Sequence, residues 1–156
     1  MKTLFTLLLT FSLGIACNAT QAQVCSAAST SLNFGTYNPQ SSSNLDNTAT
    51  VTVTCQATLS LLMIYTVKLS AGSSGSYSQR KMLSGANTLN YQVYGESTHT
   101  TIWGDGTSST GYISDGYLLQ VLTPVVKSYT AYGRAPGSQN VKAGSYTDTL
   151  TILVTY

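Results

Sequence analysis

An antiparallel β-sandwich is the fold class that this 156-residue sequence predicts, and three observations predict it. Apolar residues recur at every second position through most of the chain, Thr, Ser, Gly and Tyr fill the positions between, and short turn-forming clusters separate the runs. Beyond the N-terminus no segment holds a convincing helical period with caps, although Leu59 to Tyr65 is apolar enough to be ambiguous. About seven short strands joined by turns need two sheets packed face to face to bury their apolar sides.

The strands follow in order. Leu32 and Phe34 make a short strand before Gly35. Ala49, Val51, Val53 and Cys55 alternate with Thr48, Thr50, Thr52 and Thr54, the pattern of a half-buried strand. Tyr65, Val67 and Leu69 make another, which stops at Ala71-Gly72-Ser73-Ser74-Gly75, and Met82 marks a short edge piece. Leu89, Tyr91 and Val93 alternate with Thr88, Asn90, Gln92 and Tyr94, and Gly104-Asp105-Gly106 forms a tight turn after Trp103. Tyr117 to Val126 is apolar but interrupted by Pro124, which cannot donate to a ladder, so it belongs at an edge or in a loop. Tyr129 to Tyr132 is a further strand. Last, Tyr146, Leu150, Ile152, Val154 and Tyr156 share one face, with Thr147, Thr149, Thr151 and Thr155 on the other.

Lys2, the apolar run Leu4 to Leu13 and the small or polar residues from Gly14 onward have the form of a secretory signal. The run is shorter than the roughly 20 apolar residues that span a bilayer, and no later segment is long or apolar enough to be a transmembrane anchor. A cut after Ala22, with Thr20 and Ala22 as the small residues at the site, divides the chain into a signal peptide, 1–22, and one domain, 23–156. A cut before Cys17 would instead make a lipoprotein, but Gly14-Ile15-Ala16 lacks the large aliphatic residue expected three positions upstream.

Cys17 leaves with the signal, and Cys25 and Cys55 then meet an oxidising compartment, where a disulfide is the default pairing. On the chain-entropy model the loop it closes would stabilise the fold by about 3–4 kcal/mol. Two buried free thiols or a metal pair are the alternatives, and a metal would want further ligands where only His99 is available. No metal or cofactor is therefore expected.

Charge and side-chain chemistry narrow the function. Without Lys2 the chain keeps six basic and five acidic residues, scattered singly apart from Arg80-Lys81, which argues against a nucleic-acid partner. His99, in Ser97-Thr98-His99-Thr100-Thr101, reads as an exposed loop residue with no second base, and no Gly-x-Ser-x-Gly elbow or paired carboxylate motif accompanies it. Arg134 and Asp148 read as a structural salt bridge or turn clamp rather than an acid–base pair, and Trp103 as a core or edge anchor rather than a ligand platform. No catalytic residue is assigned, and a protein that is not an enzyme is expected.

Six blocks, spread over the chain after Ala22, then carry a resemblance. They are Leu32-Asn33-Phe34-Gly35-Thr36-Tyr37-Asn38-Pro39, the Thr-Val strand ending in Cys55, Leu89-Asn90-Tyr91-Gln92-Val93-Tyr94, Ile102-Trp103-Gly104-Asp105-Gly106-Thr107, Tyr132-Gly133-Arg134 followed by Gln139, and Ala143-Gly144-Ser145-Tyr146-Thr147-Asp148-Thr149 leading to Tyr156. In these the chain resembles the spore coat protein U domain family and the archaic, Csu-type chaperone-usher pilins related to it. The resemblance implies an immunoglobulin-like sandwich, export through the periplasm to the cell surface, and a structural or adhesive role in attachment and biofilm formation. It implies three partners: a periplasmic chaperone, an outer-membrane usher, and neighbouring pilus subunits. The chain departs from the family in Ala135, where a larger aliphatic residue is usual before Pro136, and in a longer, more apolar Gly111 to Lys127 stretch.

The family's logic predicts an incomplete sandwich. The chain reaches Tyr156 on a core strand with nothing left to form the closing one, so an apolar groove beside a free edge is expected, to be filled by donor-strand complementation. Leu32, Phe34, Leu150, Ile152, Val154 and Tyr156 are its expected lining. Only Gln23 and Val24 would precede Cys25, so the subunit is expected to accept a strand without giving one, at a fibre tip or in a non-fibrous coat. A sandwich closed on itself is the structural alternative. The functional alternatives are a secreted spore or cell coat protein that forms no fibre and, more remotely, a carbohydrate-binding module using the eleven tyrosines.

Overall fold

The structure is a computed structural model describing residues 24–56, 62–118 and 123–156; the expected signal, Cys17 and the stretch from Leu59 to Leu61 lie outside the described residues. Eight strands are present among them: β1 (Val24–Ser29), β2 (Leu45–Gln56), β3 (Leu62–Leu69), β4 (Arg80–Ser84), β5 (Asn87–Tyr94), β6 (Ile113–Leu118), β7 (Val125–Ala135) and β8 (Ile152–Thr155). They form two antiparallel sheets, one of five strands in the order β1-β2-β7-β5-β4 and one of three in the order β6-β3-β8. The expected all-β sandwich is therefore the architecture of the molecule.

Alternation becomes burial in the way a pleated strand requires. Ala49, Val51, Val53 and Cys55 of β2 face inward, while Thr48 and Thr50 face solvent. Met63, Tyr65, Val67 and Leu69 of β3 meet them from the opposite sheet, with Tyr91 and Val93 of β5 beside them. Each such valine or leucine contributes about 1.5–3 kcal/mol by leaving water. Trp103, 1% exposed, is the largest side chain of this core, and its indole N–H donates to the Val67 carbonyl at 2.9 Å. It is an anchor, as expected. Arg80 is fully buried and donates to the carbonyls of Ser70 and Trp103 and to the Gln92 side chain, so the charge is dispersed over oxygens.

Cys25 and Cys55 are register partners on β1 and β2, and a disulfide joins them, closing a loop with a sequence separation of 30. Met82 lies on the short edge strand β4. The apolar stretch before Tyr129 is divided between two strands: Tyr117 and Leu118 end the edge strand β6, and β7 begins at Val125, directly after Pro124, whose missing N–H thus falls outside the ladder.

Two expectations about strands are corrected. Leu32 and Phe34 turn inward, but residues 30–38 form no strand, and the final stripe from Tyr146 is a strand only over Ile152–Thr155. Both segments alternate as strands do and lack a ladder partner along part of their length.

Candidate functional site: an open groove between the sheets

The two partnerless segments are the two rims of one groove. The first rim leaves β1 through two bonds, from the Thr30 N–H to the Thr50 carbonyl at 3.0 Å and from the Thr50 N–H to Thr30 Oγ1 at 2.9 Å. From Ser31 to Tyr37 no backbone-to-backbone hydrogen bond follows among the described residues. Side chains hold this rim instead. Asn47 donates to the Asn33 carbonyl, the Phe34 ring stands edge-on to Tyr91 at 6.0 Å, and the Tyr37 hydroxyl donates to the Pro136 carbonyl at 2.8 Å. Gly133 of β7 makes the space: a Cβ there would lie 2.5 Å from Leu32 and 2.9 Å from Phe34.

The second rim is tied down at both ends. Thr147 exchanges two backbone bonds with Leu83, and the Thr151 carbonyl accepts from the Ser70 N–H at 3.0 Å. Between them, Asp148 to Leu150 make no backbone-to-backbone bond among the described residues. The Asp148 carboxylate serves in their place. Its Oδ1 accepts from the Ser73 N–H (2.9 Å), the Ser73 hydroxyl (2.5 Å) and the Thr149 N–H (2.8 Å), and its Oδ2 accepts from the Tyr91 hydroxyl (2.7 Å). Tyr91 belongs to the five-stranded sheet, so this carboxylate bridges the two layers. Gly72, at φ +70°, passes so close to Asp148 and Leu150 that any Cβ would strike them.

Between the rims lies a cavity of about 650 Å³. Leu32, Phe34, Leu150 and Ile152 stand on its walls, and Ala49, Val51, Leu69, Val93 and Ala131 form its floor. It continues past Phe34, Met82 and Tyr146 into a second space of about 570 Å³ bounded by Tyr37, Leu89 and Val141. Val154 packs on the core within β8 and Tyr156 is half exposed, and neither lines the cavity.

The electrostatics of the groove centre on one ion. Burial works to raise the Asp148 carboxyl, but the bonds from Ser73, Tyr91 and Thr149 outweigh it and hold it below its ordinary value. Burial first, and then the bond to Asp148, push the Tyr91 phenol far above the usual tyrosine range. A second cluster lies beside the groove floor: Tyr129, the register partner of Val51, donates to Asp115 at 2.7 Å, Tyr65 bonds to Tyr129, and Lys127 stands 3.9 Å from the same carboxylate. That cluster also joins the two sheets.

The remaining candidates fall into structural places. Arg134 pairs not with Asp148 but with Asp46, through two bonds of 2.8 and 2.7 Å. Asp148 is the turn clamp, holding the 3₁₀ turn Gly72–Ser74. His99 is half-buried rather than fully exposed, its ring edge-on to Tyr94 at 5.1 Å and to Tyr132 at 6.2 Å. Among the described residues no group of three or more His, Cys, Asp or Glu could hold a metal ion, and no helix is long and apolar enough to cross a membrane. Ser73, Tyr91 and Gly133 were not foreseen as part of the groove. The signal for the first two was Asp148 itself, the polar residue on the inward stripe Tyr146, Asp148, Leu150, Ile152, Val154.

Comparison with known proteins places this geometry. The family model of the Spore Coat Protein U domain matches residues 9–153. Protein U of Myxococcus xanthus is 34% identical over 134 residues, covering 80% of this chain and 71% of that protein. Among solved structures, a chain in the crystal structure of the CsuC-CsuE chaperone-tip adhesion subunit pre-assembly complex, from the archaic chaperone-usher Csu pili of Acinetobacter baumannii, superposes with a TM-score of 0.58 at 23% identity. The match covers 86% of this chain and 40% of that one, a likeness of fold.

Proposed function

This chain belongs to the Spore Coat Protein U domain family, and from that membership we propose that it is an exported, non-enzymatic subunit of a chaperone-usher pilus, built to accept a strand in its groove. The observation that carries the proposal is the pair of rims, Ser31 to Tyr37 and Asp148 to Leu150, whose backbones lack ladder partners among the described residues on either side of an apolar cavity. An extended peptide laid between them would hydrogen-bond along both rims and send alternate side chains into the cavity, which is β-augmentation. An open edge over apolar surface is also an aggregation hazard. A periplasmic chaperone covers it before assembly, an outer-membrane usher passes the subunit outward, and a neighbouring subunit supplies the final donor strand.

Residues 1–22 are the export signal in this reading. Their removal leaves Gln23 ahead of β1, far short of the roughly five residues of a strand. The subunit then accepts a strand and gives none, which places it at the fibre tip, in a role in attachment and biofilm formation. No catalytic, metal or cofactor role is assigned: the His99 ring packs between two tyrosines, and Asp148 is engaged by Ser73 and Tyr91.

A second reading, a secreted coat protein that forms no fibre, is favoured by the 34% identity to a protein called Protein U. One experiment separates the two. Expressed alone in a periplasm, a strand acceptor should aggregate or be degraded; with its chaperone it should be recovered as a soluble one-to-one complex with an N-terminus at Gln23, and a donor peptide should displace the chaperone. A monomer that is soluble, thermally stable and indifferent to both would overturn the pilus reading in favour of the coat protein.

A further inference from the structure

Resting on the strand-acceptor reading, we propose that Asp148 selects the strand that the groove takes: the partner strand carries Lys, a hydrogen-bond-donating cation, at the position facing Asp148, among otherwise apolar inward residues. The inward side chains along this rim are Tyr146, Asp148, Leu150 and Ile152, one carboxylate in an apolar row. A strand paired beside the rim sets its own inward side chains next to them, with Cβ atoms about 4.5–5.5 Å apart. Its arrival would cover the exposed part of Asp148.

An aliphatic neighbour would leave the ion facing hydrocarbon, which is costly unless the ion is paired. Among the described residues no cation stands at salt-bridge distance from it, although the buried Arg80 guanidinium is near enough for the two charges to attract. The ion pairs among the described residues are Lys127 with Asp115 and Arg134 with Asp46, and the Arg80 guanidinium is taken up by Ser70, Trp103 and Gln92. Three of the four bonds to Asp148 fall on Oδ1, so Oδ2 holds Tyr91 alone and keeps acceptor capacity for an incoming donor.

The test uses synthetic peptides of about nine residues alternating Val and Thr, with Lys moved in turn through each inward Val position, and measures their binding to the full chain by displacement of its chaperone. At one position Lys should bind roughly tenfold tighter than Val, a charge-assisted hydrogen bond's worth. That preference should vanish in Asp148→Asn and strengthen in Tyr91→Phe, which frees Oδ2. Lys disfavoured at every position, or a preference unchanged in both variants, would overturn the assignment of Asp148 while strand acceptance stands. Failure of every peptide to bind, the Val-Thr parent included, would remove the acceptor reading itself and this inference with it.

Discussion

The carboxylate of Asp148 does with side-chain bonds what a ladder does with backbone ones, and its protonation state should therefore show in the stability of the fold. Burial opposes its ionisation, but the bonds from Ser73, Tyr91 and Thr149 prevail; at Asp115 the bond from Tyr129 leads, and at Asp46 the bond from Arg134. Carboxyls held low in this way stabilise the folded state at pH values above their unfolded value, near 4, and lose that contribution as pH falls through the folded one. Urea midpoints should accordingly be flat above about pH 5 and fall below about pH 4. Asp148→Asn should cost about 1–3 kcal/mol at neutral pH and flatten the acid limb, checked by urea titrations at pH 3 and pH 7. Gly133 offers a second handle on the groove. Gly133→Val would drive a side chain into Leu32 and Phe34 and should cost about 1–3 kcal/mol as overpacking, with weaker capture of a donor peptide as the sharper readout.

Among the elements, β2 and β5 were legible in the sequence because their alternation is their burial: Val51 and Val53, or Tyr91 and Val93, face the core and their neighbours do not. The Leu32–Phe34 and Tyr146–Leu150 segments read equally well as strands, and periodicity misleads there for a physical reason. It reports which face a residue turns inward, and says nothing about whether a backbone lies alongside to complete the ladder. Asp148 was legible as a clamp residue, but its partners Ser73 and Tyr91 were not, for a related reason: they are brought to it by the packing of two sheets and by no local spacing. β1 depends on β2 through the cross-strand disulfide as well as through its ladder. Cys25→Ser should lower stability by about 3–4 kcal/mol in denaturant titrations and reduce export, while mass spectrometry of the native protein should find no free thiol at Cys25 or Cys55.

At the scale of the whole molecule, the sandwich is well packed where β2, β3, β5 and β7 meet and open along one side, so local stability should be uneven. Backbone groups without ladder partners exchange their hydrogens readily. Amides of residues 31–34, 36 and 37 and of Leu150 should exchange fast in the uncomplemented chain and slow markedly when a donor peptide is bound, whereas those of β2 should be slow in both states; equal protection of the rims with and without peptide would contradict strand insertion. The bridge between Cys25 and Cys55 has a consequence of another kind, in how the molecule bears load. A pull on the start of β1 would otherwise peel that strand from its partner one rung at a time. The bridge sits at the second rung, opposite Cys55, and passes the tension into β2, which is held against β7 along its length from Leu45 to Cys55. A force applied there along the strands loads those rungs together in shear, so it meets many bonds at once instead of the weakest first.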